Sequence, residues 1–180
     1  MVAGEGGPSR RVSRLNCELI TIVSMNDIHY TKGDATQPST SGNKIIVHIC
    51  NDVGGWGRGF VMAISKRWPE PEQQYRQWFQ SKKNFELGEV QFVKVEDDLW
   101  VANMIGQHNL SKDEKGNPPI RYNAVQSGLA KVADFALSKK ATVHMPRIGC
   151  GLAGGTWDKI EPLIEDTLVK KNVEVTVYDF

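Results

Sequence analysis

Two apolar runs of strand length, KIIVHIC at 44–50 and TVHMP at 142–146, each open directly into glycine: NDVGGWGRGF at 51–60 and RIGCGLAGGTW at 147–157. A helical pattern follows each glycine stretch. Continuous apolar runs of this length suit strands covered on both faces, the usual condition of a parallel sheet. Parallel strands need long crossovers, usually helices, so the repeated order of strand, loop and helix implies an α/β layered domain, helices on both faces of a mixed sheet. In such sheets ligands sit at the carboxyl ends of strands, where these loops gather. Glycine lets backbone N–H groups approach a ligand closely, and a helix N-terminus adds unsatisfied donors with partial positive charge. Each loop can therefore cradle a phosphate, and the pair a diphosphate. A plain tight turn is the competing reading of one loop alone; two loops after two strands favour the phosphate. Neither loop contains G-x-x-x-x-G-K-[ST], and GGWGRG lacks the G-x-G-x-x-G spacing, which disfavours a P-loop hydrolase and a dinucleotide fold.

The remaining elements follow from the same periodicities. IHYT alternates and runs into the turn Lys32-Gly33-Asp34, so it reads as a strand. FVMAISKRW has the spacing of a short helix stopped before Pro69, and PEPEQQYRQWFQSKK restarts as a helix with Tyr75, Trp78 and Phe79 on one packing face. GEVQFVKV and LWVANMI form a hairpin around residues 96–98, and the polar HNLSKDEKGNPP a loop. Val125, Leu129, Val132 and Ala136 mark the buried stripe of a helix over residues 120–139. IEPLIEDTLVKK reads as the final helix, with Pro162 near its start either delaying the first turn or kinking it, and VEVTVYDF as the last strand. Residues 1–25 hold little to anchor them in a core and are expected to form a flexible extension, although CELITIVS within it could add a strand; residues 26–180 are expected to form a single domain.

Charge excludes some functions. Lysine and arginine total 22 against 21 acids, a net charge of +1, so no global field draws in nucleic acid or an acidic membrane, and a bound anion must be held by local geometry. Lys82, Lys83, Lys139 and Lys140 read as solvated helix ends rather than a nucleic-acid face. No apolar stretch approaches the roughly 20 residues that cross a bilayer, and LITIV is too short for a signal-peptide core, so no membrane partner is expected. Arg10, Arg11 and Arg14 stand among serines, but Glu5 and its glycines favour an unstructured tail over a transit peptide. The 3 cysteines, with no C-x-x-C spacing, argue against a disulfide framework and a zinc site. A cytoplasmic protein is expected, or a nuclear one in a eukaryote, monomeric and without cofactor or metal.

Four stretches in order, YTKGDAT at 30–36, VHICNDVGGWGRGF at 47–60, MPRIGCGLAGGTW at 145–157 and VTVYDF at 175–180, resemble the macrodomains, modules that bind ADP-ribose. The resemblance covers residues 27–180 and is closest to the branch that includes an ADP-ribose-1''-phosphate phosphatase, a deacylating ADP-ribosyl-glutamate hydrolase and the macrodomain of a chromatin remodeller. It implies a three-layer α/β/α macrodomain-like fold with a central mixed sheet. It also implies roles for particular positions. Asp34 would accept a hydrogen bond from the adenine amino group, with the Ala35 amide beside it. Gly57, Arg58, Gly59 and Phe60 would wrap one side of the diphosphate through backbone amides, the Arg58 side chain turning to solvent. Gly149, Cys150, Gly151, Leu152 and Ala153 would close over the other side. Asn51 would reach the distal ribose hydroxyls with Asp52 near that ribose. Tyr178 or Phe180 would stack on adenine, core packing being an equal contender for either. Trp56 and Trp157 read as loop anchors.

Where the deacylating hydrolases of this branch carry a catalytic lysine and an aspartate after G-C-G-L, this chain has Gln107 and Ala153, so a lysine Schiff-base route is not expected. Water attack remains, with Asp52 as general base, Asn51 orienting the water and His108 as a second acid or base. His48 lies in a strand and reads as a core hydrogen-bonding residue, and Cys150, with no identified histidine partner, as a packing residue. The expected function is hydrolysis of a substituent on the distal ribose of ADP-ribose: a phosphate, an acyl group, or an ADP-ribosylated protein or nucleic acid. The alternative is a reader that binds ADP-ribose without chemistry.

Overall fold

The structure, a computed structural model, describes residues 27–180. The expected extension at 1–25 and its CELITIVS segment lie outside the described residues. The chain then runs β1 (His29–Lys32), β2 (Lys44–Asn51), α1 (Phe60–Ser65), α2 (Glu70–Ser81), β3 (Val90–Glu96), β4 (Leu99–Gln107), α3 (Tyr122–Lys139), β5 (Thr142–Pro146), α4 (Trp157–Thr167), a 3-10 turn at Val169–Lys171, and β6 (Val175–Asp179). The strands form one sheet in the order β1-β6-β5-β2-β4-β3, parallel throughout except for the β3–β4 hairpin.

Alternation along the central strands splits the core into two layers. Ile45 and Val47 of β2, with Trp100, Ala102 and Met104 of β4, face the helix pair α3 and α4. The stripe expected on α3 is buried there: Val125, Leu129, Val132 and Ala136 are at most 1% exposed. On the opposite face Ile46, Leu99 and Val101 meet Ile64 of α1, and Cys50 and Ile105 meet Tyr75 of α2. The aromatic face of α2 closes over Phe85, with Trp78 and Phe79 ring centroids 5.0 and 5.3 Å from it.

One boundary differs from expectation. Helix α4 starts at Trp157, so Pro162 is its sixth residue and delays nothing. The first turn is already formed by Lys159 and Ile160 donating to the Thr156 carbonyl, and the partner that Pro162 denies the Asp158 carbonyl lies at an exposed residue where water can replace it.

Strands β2 and β5 pair only from Lys44–Ile46 to Thr142–His144. Beyond that point they part. The chain leaving β2 enters α1 on one face, and the chain leaving β5 enters α4 on the other. This divergence is the topological switch point of the sheet, the place where α/β folds open a crevice at the carboxyl edge.

Candidate functional site

A cavity of about 760 Å3 occupies that crevice, its floor made by His48, Ile49 and Cys50, with a glycine loop on either side. The first loop is built from Asn51 outward. Asn51 is buried; its Nδ2 donates to the Gly55 carbonyl at 2.7 Å, and its Oδ1 accepts from the amides of Gly55 at 2.8 Å and Val53 at 3.1 Å. The Tyr75 hydroxyl donates to the Asn51 carbonyl at 2.6 Å and lies 3.0 Å from Oδ1. Trp56 anchors the far side, its Nε1 donating to Ser65 at 2.9 Å while its ring packs on His48 and Tyr75. Arg76 of α2 donates to the Trp56 carbonyl at 3.1 Å. Gly59 then turns the chain into α1 at φ 80° and ψ −147°, a conformation open essentially to glycine alone.

The second loop is closed by its own backbone. Gly155 N–H donates to the Gly149 carbonyl at 2.7 Å, Gly154 N–H to Gly151 at 3.0 Å, and Ile120 N–H to Ala153 at 3.0 Å. With carbonyls used in this way, the amides of Gly57, Arg58 and Gly59 in the first loop and of Gly149, Gly151, Leu152 and Ala153 in the second donate to no acceptor among the described residues. All of these residues line the cavity. Such facing rows of free amides make an anion-binding concavity that needs no basic side chain.

Tyr75→Phe should show how far this loop depends on its clamp. Losing the hydroxyl leaves the Asn51 carbonyl without that donor in a buried site, at a cost of about 1–3 kcal/mol. Chemical denaturation should read that loss, and an unchanged midpoint would refute the clamp.

The other residues singled out by sequence fall into two groups. Asn51, Arg58, Phe60 and Phe180 line the cavity with the glycine loops, and so do Gln107 and Ala153; Phe180 is 92% exposed at its mouth. Asp34, Ala35, Asp52, His108, Cys150 and Tyr178 are not among the lining residues. Asp34 follows β1 at the same carboxyl edge, its Oδ1 accepting from the Thr36 amide at 2.8 Å and hydroxyl at 2.7 Å, its Oδ2 from Gln37 at 3.1 Å and Arg67 at 3.4 Å. Burial raises the pKa of this carboxyl, but the Thr36, Gln37 and Arg67 donors outweigh that and hold it at about 2. Ala35 is fully buried, and Tyr178 is tied into the core, its hydroxyl 2.9 Å from His144 Nδ1. The Cys150 thiol turns to the Ile148 carbonyl, and burial pushes its pKa up. Asp52 and His108 bond each other, Oδ2 to Nδ1 at 2.6 Å. His48 is the core hydrogen-bonding residue expected, 2.6 Å from Asn103 Oδ1, and burial, partly offset by that bond, lowers its pKa to about 4.

Arg147 escaped the sequence reading. It lines the cavity, its guanidinium fixed by Asp179 at 2.5 and 3.0 Å and lying 5.3 Å from the Tyr30 ring and 5.0 Å from that of Trp157. The available signal was position: a charge directly after a buried strand, at the edge where the loops point. Among the described residues no three His, Cys, Asp or Glu side chains converge as a metal site requires, and no helix is long and apolar enough to cross a membrane.

A mixed α/β sheet with a cavity walled by backbone amides at its switch point defines an α/β ligand-binding domain of the anion-cradling kind. No family model matches the chain. A macrodomain protein from Streptomyces coelicolor is 53% identical, superposes with a TM-score of 0.76, and is covered over 99% of its length by 86% of this chain. The chain belongs to the macrodomain family. Among curated proteins, the Chromodomain-helicase-DNA-binding protein 1-like of Danio rerio is 35% identical over 84% of this chain, which spans 15% of that relative's length. An ADP-ribose 1''-phosphate phosphatase of Candida albicans is 28% identical over 77% of this chain and 92% of its own length.

Proposed function

We propose that this chain binds ADP-ribose in the cavity and hydrolyses a substituent on its distal ribose. The observation that carries the reading is the two sets of free amides lining one cavity, those of Gly57, Arg58 and Gly59 and those of Gly149, Gly151, Leu152 and Ala153. Two phosphates offer the acceptors such rows lack, and a volume of about 760 Å3 falls in the range of ligand pockets, roughly 300–1,000 Å3. Family membership supports ADP-ribose as the diphosphate. Phe180 and Asp34 suit the adenine end, and Asn51, Gln107 and Leu110 the distal ribose. The phosphatase relative, matched over nearly its whole length, supports hydrolysis over simple reading. The substituent is a phosphate, an acyl group, or an ADP-ribosylated protein or nucleic acid.

One observation favours the reader instead: the cavity lining holds no carboxylate and no lysine, its ionisable side chains being His48, Cys50, Arg58 and Arg147. Calorimetric titration separates the readings in two steps. ADP-ribose should bind, and Asp34→Ala should weaken it about tenfold or more by removing a charged acceptor, a bond of about 1.5–3 kcal/mol. Absence of ADP-ribose binding, with DNA binding that falls steeply with salt in its place, overturns the proposal. Incubation with ADP-ribose-1''-phosphate, O-acetyl-ADP-ribose and ADP-ribosylated protein or DNA then decides: turnover of one supports the hydrolase, and binding without turnover the reader.

A further inference from the structure

A carboxylate–imidazole pair directly follows two residues that line the cavity. The β2–β4 ladder shifts register after the Cys50–Ile105 pair, so that its last pair is Asn51 with Gln107. Both of these residues line the cavity. The next residue on each strand is Asp52 and His108, and the shift sets them side by side. The Asp52 amide donates to the Gln107 carbonyl at 3.1 Å and the His108 amide to the Pro119 carbonyl at 2.8 Å, which fixes both backbones. The Asp52 carboxylate bridges the turn, Oδ1 accepting from the Asn109 amide at 2.9 Å and Oδ2 from His108 Nδ1 at 2.6 Å. Its side chain is only 17% exposed, whereas that of His108 is 50% exposed. Gln107 before it and Leu110 two residues on both line the cavity, while His108 and Asp52 stand beside that lining rather than in it.

This arrangement settles the tautomer. A carboxylate only accepts, so the proton bonded to it is on Nδ1, and the lone pair of the neutral ring is left on Nε2. Nε2 has no partner among the described residues. A carboxylate orients an imidazole in the same way in the acid–base half of a hydrolytic triad, which is recognised by geometry and role rather than by sequence position. Asp52 has both oxygens engaged and is the less exposed of the two.

We propose that His108 is the general acid–base of this site and Asp52 its positioning residue, acting on a water at the distal-ribose end of the cavity. The inference rests on the hydrolase reading above. His108 Nε2 takes a proton from water as the water oxygen bonds the electrophilic atom of the substituent, phosphorus or acyl carbon. The bond from that atom to the ribose oxygen then breaks, and the imidazolium returns the proton to that oxygen. Water is consumed, and no oxidant or metal is required.

The experiment uses the full chain and whichever of ADP-ribose-1''-phosphate and O-acetyl-ADP-ribose it turns over. His108→Ala should lower kcat about 100-fold or more, the usual worth of a positioned acid or base, with ADP-ribose affinity within about twofold of wild type. Millimolar imidazole should restore part of its kcat, which no structural role of His108 would allow. Asp52→Asn, which turns a donor toward Nδ1 and favours the wrong tautomer, should lower kcat with KM nearly unchanged, and imidazole should leave it unrescued. Full kcat in His108→Ala, or a loss without imidazole rescue, overturns the dyad while the hydrolase reading stands. ADP-ribose binding without turnover of either ester by wild type overturns the dyad; binding without turnover of ADP-ribosylated protein or DNA as well leaves a reader. Failure to bind ADP-ribose removes both.

Discussion

Gly155→Ala is expected to abolish measurable ADP-ribose binding while leaving a folded protein. A Cβ at this position would stand 2.6 Å from the Gly149 carbonyl oxygen, closer than real Cβ atoms come to any neighbour. The obstacle is backbone, so no side-chain rotation relieves it. The hydrogen bond from Gly155 N–H to that same carbonyl must also lengthen or break. What moves is the segment between them, which carries the free amides of Gly149, Gly151, Leu152 and Ala153. A shift of about 1 Å there misaims the whole row, since hydrogen bonds weaken steeply with distance and angle. Calorimetry should show affinity reduced about 100-fold or more, and thermal unfolding a smaller fall matching the roughly 1–3 kcal/mol of overpacking. Gly57→Ala supplies the control for folding, because nothing lies within 4 Å of a Cβ there and its unfolding temperature should not change. Wild-type affinity in Gly155→Ala would mean that the second loop does not hold the diphosphate.

The second large effect is loss of stability in mild acid. His48 and His144 are held at pKa values of about 4, well below the ordinary 6.5 of a histidine. Burial is the main cause for both; the positive charge of Lys44 adds to it for His144, whereas the bond to Asn103 opposes it for His48. Both rings are hydrogen-bonded as neutral groups, His144 lying 2.9 Å from the Tyr178 hydroxyl and 2.8 Å from that of Thr142. Between pH 4 and 6.5 the unfolded chain therefore binds more protons than the folded one, and stability rises with pH across that window. It is fully present above the unfolded value and lost as pH falls toward 4, on the order of 3 kcal/mol for each histidine. Together they approach the whole stability of an ordinary domain, about 5–15 kcal/mol. Denaturant midpoints measured at pH 7.5, 6 and 5 should fall steeply, and His144→Gln should flatten the dependence by about half. Equal midpoints across that range would contradict neutral buried histidines. Asp34, held at about 2, adds its own loss only below about pH 4, as its carboxyl protonates.

The elements were legible because period and burial agree. KIIVHIC is apolar on both faces apart from Lys44 and His48 because β2 is covered on both faces, and the α3 stripe repeats at three and four residues because one side of that helix meets the sheet. The start of α4 was not legible. Its first residues follow a glycine run, and Thr156 caps the helix with no side-chain bond of its own while its amide is met by the Tyr122 hydroxyl, 34 residues away. The same limit applies to the site. Loop composition announced the amide rows, but Arg147 reaches the cavity through a pairing with Asp179 that only the β5–β6 neighbourhood creates. Asp52 and His108 each drew attention singly. Their pairing depends on a register shift between strands 56 residues apart, which no local pattern records.

Strands β2 and β5 share three rungs and then separate, so the walls of the cleft are suspended from opposite sides of the sheet, one from the layer around Ile64 and Tyr75, the other from that around Ile160 and Ile164. Either wall can be reshaped by substitutions in its own layer without unzipping the other. A scaffold divided in this way can exchange the side chains at one rim while the other rim keeps its shape.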